Sequence, residues 1–219
     1  GKKLNNQTMA KTFGWMFIGL LVTFLTGYVI SMNPNMLLNV MSTTGLILIV
    51  IIGFALVIFL SARITKMKPI TAKISFLLYS FVSGLTFSSI FIAYEMSSII
   101  FVFLITAVLF AIMAVVGAFT KIDLTKLGTY LLMALFGVIL CTIVNIFLNS
   151  SSLDLIISIV IILIFIGFTA YDVQRISRLS DMNLIAEDNL AIYGALELYL
   201  DYINLFLHLL SLFGNNNDN

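Results

Sequence analysis

The chain has 219 residues, of which 61% are hydrophobic and only 10% charged, with a formal net charge of +1 and a mean hydropathy of +1.15. Soluble domains carry roughly 25% charged residues, so this composition excludes an ordinary soluble domain. The single cysteine, Cys141, excludes an intramolecular disulfide and a cysteine metal cluster. We expect the lipid bilayer as partner, no nucleic acid and no enzyme cofactor.

Seven apolar runs follow one another, each about 18–25 residues long, which is the length of a transmembrane helix. The first ends at Asn33-Pro34-Asn35, and Lys68-Pro69 precedes the third. The predicted spans are 13–30, 37–62, 74–94, 98–119, 128–147, 153–177 and 190–213. We therefore predict an all-α integral membrane protein with one domain over residues 1–219, a cytoplasmic segment at 1–11 and a polar tail at 214–219.

The basic residues predict the orientation. All eleven fall on one side of the predicted spans, and the opposite connections carry no lysine or arginine. Because cytoplasmic loops are enriched in lysine and arginine, this side is predicted to be the cytoplasm, with the N-terminus inside and the C-terminus outside. The residues are Lys2, Lys3, Lys11, Arg63, Lys66, Lys68, Lys73, Lys121, Lys126, Arg175 and Arg178.

Two spans carry informative polar residues at helical spacing. In the third, Ser80, Ser83, Gly84 and Ser88 recur at helical spacing, and such small side chains favour close helix packing.

In the last span, Glu197, Asp201, Asn204 and His208 have offsets of 0, 4, 7 and 11, which place them within an arc of about 60°. Because ionisable groups in hydrocarbon are costly, this polar stripe must face protein or water. A single histidine such as His208 is more often a hydrogen-bonded core residue than a metal ligand.

The sixth span supplies a second carboxylate, Asp172. Arg175 follows three residues later, so a local ion pair at the membrane edge is one interpretation. If Asp172 instead meets Asp201, the two groups cannot both ionise cheaply in a low dielectric, and they share a proton. Such a pair can sense pH, and its deprotonated oxygens suit calcium. Arg63, at the cytoplasmic end of the second span, is either a partner for one aspartate or a plain positive-inside anchor.

Four stretches resemble the transmembrane Bax inhibitor motif family, in the form found in bacteria. The specific ones are 168–176 (FTAYDVQRI) and 195–206 (ALELYLDYINLF); 81–84 (FVSG) and 144–147 (VNIF) add to them. With the seven spans, the resemblance covers nearly the whole chain.

The resemblance implies six helices wrapped around a central C-terminal helix, and a pH-sensitive calcium leak across the bacterial inner membrane. It assigns Asp172 and Asp201 as the hydrogen-bonded pH sensor and possible calcium site, and Arg63 as a latch. Two features depart from the family pattern: the second span has no acidic residue, and Glu197 stands where a small residue is common. Glu197, Asn204 and His208 are possible accessory polar residues of the ion path.

Other functions remain open. An intramembrane aspartyl protease also uses two aspartates, but it needs Gly-x-Gly-Asp where this chain has Leu198-Tyr199-Leu200-Asp201. A retinal protein needs a lysine inside the last span, and there is none. A non-conducting membrane protein that regulates unknown protein partners is compatible with the sequence. We expect no enzyme activity, with calcium ions and protons as the partners of the site.

Overall fold

The computed structural model describes residues 2–217 and the side chains of residues 6–217, and these residues form nine α-helices and no strand. The ends of the predicted segment 1–11 and tail 214–219, namely Gly1, Asp218 and Asn219, lie outside the described residues. The helices are α1 (Lys2–Ser31), α2 (Pro34–Met41), α3 (Thr43–Arg63), α4 (Pro69–Phe87), α5 (Ile90–Ala93), α6 (Met96–Phe119), α7 (Thr125–Leu148), α8 (Ser151–Met182) and α9 (Glu187–Phe213).

Seven helical stretches of this described part are long and apolar enough to cross a membrane, which confirms the predicted fold class. They are Asn6–Ser31, Thr43–Arg63, Pro69–Ala93, Met96–Phe119, Thr125–Leu148, Ser151–Met182 and Glu187–Phe213. The last is the most enclosed, with 72% of its most apolar 18 residues buried, whereas the others have between 6% and 39%. The arrangement of six helices around it stays a prediction.

The helix boundaries differ from the predicted ones where polar residues continue a helix. The helix of the first span begins at Lys2 rather than near residue 13, so most of the predicted segment 1–11 is helical. The helix of the sixth span runs on to Met182 and ends at Asn183, whose φ of 53° lies in the left-handed region that asparagine tolerates. Hydropathy marks where a helix enters hydrocarbon, and a helix that continues into water gives no such signal.

The second predicted span, 37–62, was wrong as one helix, because the chain breaks at Ser42. Asn33 caps α2 by accepting a hydrogen bond from the Met36 N–H at 3.1 Å, and Pro34 occupies its first turn. Ser42 has an extended backbone and caps α3, accepting from the Gly45 N–H at 3.1 Å. Side-chain caps of this kind satisfy N–H groups that the first turn leaves without a partner.

Contacts along the chain group it into two compact units. The first contains the residues up to Met96, Ile176–Tyr199 and the tail from Asn216, and the second contains Ser97–Arg175 and Leu200–Asn215. Helix α9 therefore contributes its first half to the first unit and its second half to the second. The prediction of one domain over residues 1–219 is not tested by this grouping and stays a prediction.

Helices α1 and α4 approach closely in the first unit at Gly84, one of the small residues predicted to pack. A Cβ atom at Gly84 would lie 2.6 Å from Thr26 Cβ and 2.8 Å from the Thr23 carbonyl oxygen. These contacts involve backbone and a branched side chain, which cannot move aside easily. Close approach of this kind holds helices together in a bilayer, where lipid provides no hydrophobic drive.

We predict that Gly84→Ala destabilises the protein, because overpacking at such a contact costs about 1–3 kcal/mol. Gly137→Ala is the matched control: it lies in a helix and is exposed, and a Cβ there meets nothing within 4 Å. Thermal unfolding in detergent should give a lower Tm for Gly84→Ala and an unchanged or slightly higher Tm for Gly137→Ala. Equal Tm values for the two variants would contradict the close contact.

Candidate functional site: a buried carboxyl pair

The second unit brings Asp172 of α8 and Asp201 of α9 together. Their side chains form a hydrogen bond, and the two residues are 3% and 4% exposed. A carboxylate can only accept hydrogen bonds, so at least one member of the pair must carry a proton for this bond to form. The structure thus joins the two aspartates predicted from the sequence, and their roles in sensing pH and binding calcium stay predictions.

A guanidinium lies next to this pair. Arg175 Nη1 is 4.0 Å from Asp172 Oδ1, and the arginine side chain is 39% exposed. This is the local i, i+3 contact that the sequence suggested as the alternative for Asp172, and it exists together with the bond to Asp201. At 4.0 Å it is a long ion pair, and partial exposure to solvent weakens such a pair further.

Arg63, the predicted latch, is the last residue of α3 and is exposed. It belongs to the first unit, and Asp172 belongs to the second. Its pairing with Asp172 therefore stays a prediction, and Arg175 is the basic residue that the second unit itself places beside the carboxyl pair.

The other members of the predicted polar stripe are less buried than Asp201. Glu197, Asn204 and His208 are all partly exposed. Asn204 donates from Nδ2 to the Leu200 carbonyl oxygen of its own helix at 2.8 Å, so its amide is engaged locally. His208 lies within electrostatic range of Asp154 near the start of α8. Asp201 is thus the stripe member that is fully enclosed.

No group of three or more His, Cys, Asp or Glu side chains within the described part of the chain lies close enough to hold a metal ion. The carboxyl pair offers two carboxyl groups to a cation. Calcium takes six to eight oxygen ligands, so water and backbone carbonyls would have to supply the rest at this pair.

A cluster of charges at the start of α9 was missed by sequence analysis. Lys11 Nζ lies 3.0 Å from Glu187 Oε1 and 3.1 Å from Asp188 Oδ1, and Lys73 Nζ lies 3.1 Å from Asp188 Oδ2. Lys73 also sits 5.8 Å from the ring centroid of Trp15. The two lysines had been interpreted only as positive-inside residues. Acidic residues in the first turn of a helix interact favourably with the helix dipole. The pair Glu187-Asp188 was therefore the feature of the sequence that could have indicated this cluster.

A buried hydroxyl contact in the first unit was also missed. Tyr199 OH lies 2.6 Å from Thr23 Oγ1, and Thr23 Oγ1 donates to the Ser80 carbonyl oxygen at 2.9 Å. Since the single Thr23 proton is used in that bond, Tyr199 must be the donor to Thr23. This contact ties α9 to α1 and α4 within the first unit.

Among the residues that the structure describes, seven helical stretches are long and apolar enough to cross a membrane, and they identify an integral membrane protein. The sequence model of the family described as "Inhibitor of apoptosis-promoting Bax1" matches residues 5–218, and the chain belongs to this Bax inhibitor-like family. This confirms the resemblance inferred from the motifs.

Bacterial proteins are among the relatives. An uncharacterized protein of Borreliella burgdorferi is 43% identical over 215 residues, covering 96% of this chain and 93% of the relative. The inner membrane protein YbhL of Escherichia coli K12 is 42% identical over 212 residues, covering 94% and 91%. An uncharacterized protein of Deinococcus radiodurans is 36% identical over 212 residues, covering 96% and 90%.

We predict that Asp188→Asn weakens the charge cluster and lowers the Tm by a few degrees, since about 1 kcal/mol shifts the Tm of a chain of this size by about 2–4 °C. The deficit should shrink as salt is raised, because salt screens partly exposed charges. Glu95→Gln, which changes an exposed carboxylate elsewhere, is the control. A deficit that stays constant between low and high salt in thermal unfolding would rule out an electrostatic origin.

Proposed function

We propose that this protein is a pH-sensitive calcium leak pathway of the bacterial inner membrane, with Asp172 and Asp201 as its sensor. The observation that carries the proposal is the hydrogen bond between these two carboxyls inside apolar, membrane-length helices. An ionisable group in hydrocarbon costs about 2.5–3.5 kcal/mol on insertion scales, and such residues mark ion or proton pathways. Two observations support the location: the basic residues predict a cytoplasmic N-terminus, and the relative YbhL is named an inner membrane protein.

Protonation is the proposed switch. When the pair is fully ionised, two negative charges lie close together and attract cations, including a neighbouring guanidinium. When the pair takes up a proton, one of the two charges is lost, and the attraction that held the guanidinium weakens. The closure on the cytoplasmic side then loosens, and the leak rises in acid.

Two arginines are candidates for the guanidinium. Arg63 is the latch implied by the family resemblance. Arg175 is the one found beside Asp172, at 4.0 Å. Because the latch requires a partner that separates on opening, an arginine on a different helix from Asp172 suits the role better than one on the same helix. Arg63 therefore remains our proposal, with Arg175 as the neighbour that tunes the pair.

A pair of carboxylates also suits the passage of calcium better than its retention. Conduction requires an ion to bind well enough to enter and weakly enough to leave. Two carboxylates completed by water form a weaker site than the dense oxygen cages that hold calcium tightly. Weak binding that protons can abolish is what a regulated leak requires.

We predict that Asp172→Asn imitates acid. Breaking a well-buried ion pair costs about 3–5 kcal/mol, and about 1.4 kcal/mol shifts an equilibrium tenfold. With the smaller cost expected for a partly screened pair, the calcium leak at pH 8 should rise about tenfold, and its dependence on pH should flatten. The measurement is calcium flux in liposomes containing the purified protein, from pH 8 to pH 5.

Asp181→Asn is the matched control, because it removes an exposed carboxylate from the same helix; it should keep the wild-type pH response. In the same assay Arg63→Ala should raise the leak at pH 8, whereas Lys66→Ala should not. Full wild-type pH dependence in Asp172→Asn would place the switch elsewhere. No flux from the wild-type protein at any pH would favour a non-conducting regulator.

We also predict that calcium and protons compete. Calcium affinity should fall between pH 8 and pH 5 by up to about tenfold per pH unit for one competing proton, because a protonated carboxyl is a poor cation ligand. Isothermal titration with calcium at several pH values measures this, and Asp201→Asn should remove the dependence. An affinity that is flat across this range would show that calcium binds away from the pair.

A further inference from the structure

We propose that Gln174 is a positioning residue for the carboxyl pair: its amide fixes α8 so that Asp172 stays within hydrogen-bond distance of Asp201. This inference rests on the proposed function in one respect: it takes the carboxyl pair to be the pH sensor. Asp172, Asp201 and Gln174 all belong to the second unit.

The Gln174 amide forms two hydrogen bonds to the main chain. Its Nε2 donates to the Ile122 carbonyl oxygen at 2.8 Å, and the Leu124 N–H donates to its Oε1 at 2.9 Å. The residue is 8% exposed. Both partners lie in the connection between α6 and α7. One buried amide therefore joins the middle of this connection to α8.

The connection that Gln174 binds is itself held by side-chain caps. The Ile122 N–H donates to Thr120 Oγ1 at 3.2 Å. Asp123 Oδ1 accepts from the Thr125 N–H at 3.0 Å and from the Thr125 hydroxyl at 2.7 Å. These bonds fix the chain just before and at the start of α7, so that Gln174 is attached to an ordered anchor.

Helix geometry explains how this anchor acts on Asp172. Residues two apart on an α-helix point about 200° apart, so Gln174 and Asp172 lie on nearly opposite faces of α8. The helix is thus held by the connection on one side and by Asp201 on the other. On the same helix, Gly117 of α6 packs against the Ala170 backbone, and Gly128 of α7 packs against the Tyr171 ring.

The bond between the two carboxyls tolerates only a small rotation of α8. A helix with its side chains has a radius of about 5–6 Å, so a rotation of α8 by about 10° moves a surface atom by about 1 Å. A hydrogen bond between oxygens spans about 2.5–3.0 Å, and adding about 1 Å breaks it. A small rotation of α8 is therefore enough to separate the two carboxyls, and the Gln174 amide opposes that rotation.

The alternative is that Gln174 only stabilises the connection between α6 and α7. The same unit contains a matched control for this alternative. Asn145 of α7 also uses one amide to bind a main-chain pair: Nδ2 donates to the Ser150 carbonyl oxygen at 3.2 Å, and the Ser150 N–H donates to Oδ1 at 3.0 Å. This clamp joins α7 to the start of α8, about 33 Å along the helix from Asp172 at 1.5 Å per residue.

The test compares Gln174→Met with Asn145→Leu in the purified full-length protein. Both variants lose two amide-to-backbone bonds and keep side-chain size approximately. Infrared spectroscopy at the pH where the wild-type pair holds one proton reports the C=O stretch of the protonated carboxyl. Its loss in Asp172→Asn and Asp201→Asn assigns the band. The readout needs no ion flux, so a failure of the proposed function and a failure of this inference are distinguishable.

We expect the band of Gln174→Met to move to the higher frequency of a less strongly hydrogen-bonded carboxyl, and the band of Asn145→Leu to stay at the wild-type position although its Tm also falls. If Gln174→Met does not fold, Gln174→Asn, which keeps the amide and shortens the side chain, should give the same shift. An unchanged band in the Gln174 variants overturns the proposal. So does an equal shift in Asn145→Leu, or a wild-type protein without an assignable band.

Discussion

The hydrogen bond between two buried carboxyls is the constraint on which the second unit depends. An ion in a low dielectric costs several kcal/mol, and two adjacent carboxylates would pay this cost twice and also repel one another. A shared proton removes one charge and forms a bond at the same time. The helices around the pair must then hold the two side chains to within about 1 Å, because a longer separation breaks the bond and leaves the remaining buried charge without this partner.

The other buried polar contacts between helices also reflect the lipid environment. Lipid provides neither hydrogen bonds nor a hydrophobic drive between helices, so helices associate through small residues and a few internal polar bonds. In the second unit, Tyr202 donates to the Phe103 carbonyl oxygen at 2.7 Å while its ring packs on Phe103 and Phe110. In the first, Asn189 Nδ2 donates to the carbonyl oxygens of Ile64 and Met67 at 2.7 and 2.8 Å. Each of these bonds has a main-chain carbonyl oxygen as its acceptor. It therefore links two parts of the chain without burying a charge.

The seven spans and the two aspartates could be predicted from the sequence. Hydropathy and the cost of a charge in the membrane depend on a residue and its near neighbours along the chain. Contacts between residues far apart along the chain could not be predicted in this way. Lys11 and Asp188 are 177 residues apart, and Lys73 and Asp188 are 115 apart, so no spacing rule relates them. Gln174 stood in a motif, but a glutamine at the end of a span is compatible with many roles until its two backbone partners are known. The break at Ser42 was missed although Ser42-Thr43-Thr44-Gly45 interrupts the apolar residues with side chains that favour helix caps.

Helix α9 makes a second buried polar contact two residues before Asp201. The helix passes from the first unit to the second between Tyr199 and Leu200. Within one turn, therefore, Tyr199 is bonded to Thr23 and packed on Phe76 and Tyr79, and Asp201 is bonded to Asp172. These two residues point about 200° apart, so α9 makes the two contacts from nearly opposite faces. Within this turn of α9, one contact is a bond between two hydroxyls, and the other requires a proton that two carboxyls share.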